Sequence, residues 1–146
     1  MKELIEKMWG EVEKKFNENG MVENWAIMIH DNRSIYYSLP SDRNEFIEAM
    51  DSIHKIAMII NPDLIIHVSE SWIVTRDNDE IKRDISPSED SDRKEAVVMC
   101  CIFPSGVSST YIGLIHRPLA MNPYLEIKHE NIPGKSFRIP GWAYVN

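Results

Sequence analysis

Only two cysteines occur in the chain, Cys100 and Cys101, and they are neighbours. Successive residues of a strand point to opposite faces, so a structural disulfide between them is disfavoured, and two cysteines make no framework. They are expected as reduced, buried thiols. Glycine is scarce as well: the six present do not cluster, which argues against a Gly-rich phosphate loop. No apolar run approaches the roughly 20 residues that cross a bilayer. Met1 to Glu13 is charged throughout and lacks the apolar centre of a secretion signal, so a cytoplasmic location is expected, without membrane attachment. Positive charge is also short. Sixteen Lys and Arg face 23 Asp and Glu, a net charge of −7, which disfavours the phosphate neutralisation behind non-specific nucleic-acid binding.

Motifs are equally sparse. His30, His54, His67, His116 and His129 show no zinc-ligand spacing beside a cysteine. His30 and His67 could meet across strands, but a hydrogen-bonded structural histidine is the plainer reading. Ser105 lies in Pro-Ser-Gly, not in a Gly-x-Ser-x-Gly elbow. Asp77, Asp79, Glu89, Asp90 and Asp92 match calcium loops in composition only, since the spaced glycine and closing glutamate are missing. On this reading the chain takes no cofactor and no metal.

What is present is an ordinary globular composition, 43% apolar and 27% charged, at the 146-residue length of one domain. Leu4, Ile5, Met8, Trp9, Val12 and Phe16 recur at helical spacing, and Asn19-Gly20 is a suitable stop. Asn24–His30 and Ser34–Leu39 read as strands joined through Asp31-Asn32-Arg33. A second helix opens at Asp42, with Glu45 three residues on completing a capping box, and ends at Asn61-Pro62. Leu64–Thr75, Glu95–Phe103 and Ser109–Arg117 read as further strands, the second apolar on both faces as in a covered central strand. The pattern predicts an α+β domain over residues 1–117, with an antiparallel sheet of about five strands and two helices on one face. Residues 118–146 read as an extended, proline-containing arm carrying Tyr124, Phe137, Trp142 and Tyr144, packed on the domain or on a partner.

Two groups of residues could carry chemistry. Pro62-Asp63 followed by Glu80-Ile81-Lys82 matches the loose arrangement in which two carboxylates hold a divalent cation and a lysine assists the attacking water. The match needs strands to bring the acids together, and Glu80 lies in a charged stretch that reads as loop. Glu70, Trp72, Asp92, Arg93 and Glu95 form the second group. Glu70 stands two residues from Trp72 on an apolar strand face, where a buried carboxylate needs a partner. Arg93 is the expected partner, either as a structural salt bridge or as part of a polar spot beside an aromatic wall.

Ser69-Glu70-Ser71-Trp72, followed by Pro87-Ser88-Glu89-Asp90-Ser91-Asp92-Arg93-Lys94-Glu95, resembles a pattern of short bacterial and phage-type proteins. Those show Glu-Ala-Trp, a Pro-Ser stretch, then Asp-x-Arg-x-Glu before a strand. Here Ser71 stands in the alanine place and Lys94 in a variable one. The resemblance covers about a third of the chain and implies no particular activity. The leading expectation is a binding or interaction module, of the kind an accessory protein of a mobile element would be, with a protein partner or a second copy of itself. The alternative is a metal-dependent nuclease or hydrolase using Asp63, Glu80 and Lys82, or Glu70 in place of Glu80.

Overall fold

In the computed structural model, residues 1–73, 93–105 and 108–134 are described. The elements are α1 (Lys2–Asn19), β1 (Trp25–His30), β2 (Arg33–Ser38), α2 (Arg43–Ile60), β3 (Leu64–Ile73), β4 (Lys94–Ile102), β5 (Ser108–His116) and β6 (Tyr124–Gly134). The six strands form one antiparallel sheet in the order β2-β1-β3-β4-β5-β6.

Local chemistry explains the punctuation. Gly20 ends α1 at φ 72°, a left-handed conformation that glycine adopts without steric penalty, and its N–H donates to the Phe16 carbonyl at 2.7 Å. Asp42 caps α2 by accepting from the Glu45 N–H at 3.1 Å, and Asn61 closes it at φ 54°. Between β1 and β2 the turn is Asp31-Asn32 alone. Both residues have positive φ (48° and 60°), as a two-residue hairpin whose twist matches its strands requires.

The sequence reading placed both helices on one face. They lie on opposite faces. Ile5, Trp9, Val12 and Phe16 of α1 pack with Leu64, Ile66, Val68, Val97, Met99 and Cys101. Met50, Ile53 and Ala57 of α2 pack with Ile65, Ala96, Val98, Cys100 and Ile102. The reason lies in β3 and β4, which are buried on both faces: β4 is apolar at both parities, and β3 sets Leu64, Ile66 and Val68 on one face and Ile65 on the other. Fully burying a Val, Leu or Ile is worth roughly 1.5–3 kcal/mol. Leaving Leu64, Ile66, Val68 and Val97 uncovered would therefore forfeit roughly 6–12 kcal/mol, comparable to a domain's whole stability. One helix per face is what this sheet needs.

One boundary also differs. Residues 124–134, read as part of an arm, form β6 and pair with β5, so the sheet continues past Arg117 and has six strands. The two cysteines are free and buried, one on each face, as their adjacency requires.

His67 is the outlier of the α2 face. It lies opposite Ala26 on β1 and Cys100 on β4, with the Phe46 ring 5.3 Å away. His30 does not meet it, being four residues along β1 from Ala26. Neither ring nitrogen has a hydrogen-bond partner among the described residues, contrary to the expectation of a bonded structural histidine. Burial pushes its pKa down from 6.5 to about 4. Above pH 6.5 both folded and unfolded states hold the ring neutral. Between about 6.5 and about 4 only the unfolded chain takes the proton, so folding stability should fall by about 3 kcal/mol across that window. Urea unfolding at a series of pH values should show this loss in the natural protein, and His67→Leu should remove most of it. An equal loss in the variant would assign the acid sensitivity elsewhere.

Candidate functional site

Of the residues singled out around Glu70, Glu70 and Glu95 share one cation, Arg117, while Arg93 meets Trp72. On β3 and β4 the register sets Glu70 opposite Val97 and Trp72 opposite Glu95. Arg93 precedes β4, four residues from Glu70's register partner Val97. Its guanidinium lies over the Trp72 ring, 4.7 Å from the centroid. The cation that reaches Glu70 is Arg117, just past the end of β5. Its Nη2 is 3.9 Å from Glu70 Oε2, its Nε donates to Glu95 Oε2 at 2.9 Å, and its Nη1 donates to the Gly20 carbonyl at 3.2 Å.

Glu70 has a second duty. Its Oε1 accepts from the Val22 N–H at 2.8 Å, while its own N–H donates to Asn24 Oδ1 at 3.2 Å. Together these bonds fasten the connection from Gly20 to Asn24 onto the end of the sheet. Arg117 carried no signal in the sequence, because Gly20 is 97 residues away from it. Asp92, Glu80 and Lys82 lie outside the described residues. Asp63 is in the connection between α2 and β3, where its Oδ2 accepts from the Asp31 N–H at 3.1 Å.

The fastened connection walls one end of a groove. The groove has a volume of about 660 Å³ and lies between α1 and the β1–β2 flank of the sheet. Met8, Val12, Met21, Val22, Trp25 and Tyr36 give it an apolar lining, with Glu11, Lys15, Asn19 and Glu23 at its polar positions. The Trp25 and Tyr36 rings pack at a tilt, with centroids 6.1 Å apart. Tyr36 is 57% exposed and Met21 55%, so the lining is open to solvent. A concave, largely apolar surface with a few polar groups is the usual form of a binding site. None of these residues was singled out as a site from sequence. The available signals were the apolar Met8 at the margin of the α1 stripe and the Tyr36-Tyr37 pair in a short strand.

The groove borders a sheet edge that no further strand among the described residues covers. β2 ends the sheet order, and five of its six residues are exposed. It contains no proline and one charge, Arg33, so it has few of the devices that blunt edge strands. The opposite edge differs: register shifts between Thr110 and Ile112, and between Ile112 and Gly113, make the β5–β6 ladder irregular. No helix among the described residues is long and apolar enough to cross a membrane. No protein-family model, curated protein or solved structure matches this chain.

The geometry assigns the Glu70 cluster a fastening role with modest ion-pair energy. Arg117 is 44% exposed and Glu70 28%, so solvent screens their pairing. A double-mutant cycle on Glu70→Gln and Arg117→Met should give coupling of about 1 kcal/mol or less. Glu70→Ala should cost more, about 1–3 kcal/mol, because it strands the buried Val22 N–H. Thermal or urea unfolding reads both. A coupling of several kcal/mol between Glu70 and Arg93 would show that the cations are assigned the wrong way round.

Proposed function

We propose that this chain is a small binding module that receives an extended segment of a protein partner along β2. The observation that carries the reading is the adjacency of the open β2 edge to the apolar groove, with Tyr36 belonging to both. An edge strand offers unpaired backbone N–H and C=O groups, whose natural complement is another strand. Alternate side chains of an added strand point to one face of the sheet. On the α1 face they would enter the groove lined by Met21, Trp25 and Tyr36, so backbone pairing supplies affinity and the groove supplies selectivity. The net charge of −7 agrees with a protein partner rather than a nucleic-acid backbone. A role as accessory protein of a mobile element rests on the Glu70-to-Glu95 pattern alone.

In this reading Glu70, Glu95 and Arg117 act through the groove's geometry, by holding Gly20–Asn24 in place. A displayed library of short linear peptides, panned on the whole protein, tests the proposal. Enriched peptides should alternate apolar residues, and their synthetic versions should bind at least about tenfold more weakly to Tyr36→Lys and Met21→Lys, a loss of about 1.4 kcal/mol. Both substitutions are at exposed positions and leave the core intact. Enriched peptides that bind both variants as tightly as the natural protein would overturn the reading, as would a library that yields no binder.

A further inference from the structure

We infer that His30, Asp31 and Asp63 form a binding site for a divalent transition-metal ion, with zinc the ion best suited to the donors. His30 ends β1, Asp31 opens the β1–β2 turn, and Asp63 comes from the connection between α2 and β3. One ligand atom of each lies within 4.8 Å of the others. The backbone holds this convergence: the Asp63 N–H donates to the Ile29 carbonyl at 2.8 Å, and the Asp31 N–H to Asp63 Oδ2 at 3.1 Å.

Geometry and charge both favour an ion. Zinc binds imidazole nitrogen and carboxylate oxygen at about 2.0–2.2 Å in tetrahedral sites, which sets neighbouring donors roughly 3.3 Å apart. His30 Nε2 and Asp31 Oδ2 are 3.3 Å apart. Neither Asp31 nor Asp63 has a Lys or Arg partner among the described residues, so two carboxylates share one corner with only an imidazole between them. A mixed set of one nitrogen and two carboxylates suits zinc or its transition-metal neighbours. Calcium and magnesium prefer more ligands, all of them oxygen. The site is exposed on two of its three residues, leaving room for water at the remaining position. His30 Nδ1 is buried without a partner among the described residues, so no group behind the ring orients it or fixes its tautomer. The affinity is therefore modest.

Asp63 was the residue of the loose nuclease-like pattern that precedes a strand, and here it gains two donors that the pattern did not contain. The inference is independent of peptide binding at β2 and can fail or succeed without it.

Isothermal titration of the whole protein with zinc chloride tests the site, with Co²⁺ added separately as a spectroscopic probe. The variants are Asp31→Asn, Asp63→Asn and His30→Gln. Asparagine tolerates the left-handed backbone at position 31 and keeps an acceptor for the Asp31 N–H at position 63. Zinc should bind one-to-one, and each variant should weaken it about tenfold or more. The visible Co²⁺ bands should disappear in His30→Gln. Three results would each overturn the inference: no stoichiometric zinc binding, zinc affinity unchanged in Asp63→Asn, or magnesium or calcium binding as tightly as zinc.

Discussion

The two-sided burial of β3 and β4 is the constraint on which the rest of this structure depends. Each of these central strands presents apolar side chains at both parities, and each face therefore needs its own cover. A hairpin stands between the two helices in the chain, α1 before β1 and α2 after β2, and the helices settle on opposite faces. The cysteine pair records the same constraint at one point, Cys100 facing α2 and Cys101 facing α1. His67 is where the arrangement is least comfortable, an imidazole set among apolar neighbours because its strand is buried on both sides.

Function on this account is built at the margin of that core. The α1 stripe is spent on the central strands, so the β1–β2 flank is left partly uncovered and a groove opens between them. The polar cluster around Glu70 contributes by position. By accepting from Val22 and pairing with Arg117, Glu70 ties the end of α1 to the far side of the sheet and fixes the groove's end wall. Groove and open edge meet at Tyr36. The His30, Asp31 and Asp63 corner sits at the turn of the same hairpin, where two tight connections meet rather than where the core lies.

Local signals were legible in the sequence and long-range ones were not. The Asp42 cap, the Gly20 stop and the apolar runs of β1, β2, β4 and β5 depend on a few neighbouring residues, and the structure shows each within a residue of where it was read. Apolarity at both parities of β4 also implied cover on both faces, although which helix supplies it is decided by packing and not by spacing. Placing both helices together left the second face to the C-terminal arm or to a second copy of the chain, whereas α1 covers it. Tyr124–Gly134 was hidden as a strand by Pro133 and by an irregular register with β5. The partner of Glu70 was hidden because Arg93 is nearer in sequence and Arg117 nearer in space. Asp63 was noticed for its chemistry, but its actual neighbours come from a turn read only as a turn.

The central claim is that β2 is an open, receptive edge on a core sealed at β3 and β4. Native-state amide hydrogen exchange on the isolated protein measures this directly, because exchange reports how readily each backbone N–H opens to water. The account predicts slowest exchange in Ile65–Val68 and Val97–Cys101, paired on both sides and covered on both faces. It predicts much faster exchange in Arg33–Ser38, which is paired on one side only among the described residues. Protection of β2 equal to that of β3 in the protein alone would contradict it, since the edge would then already be occupied.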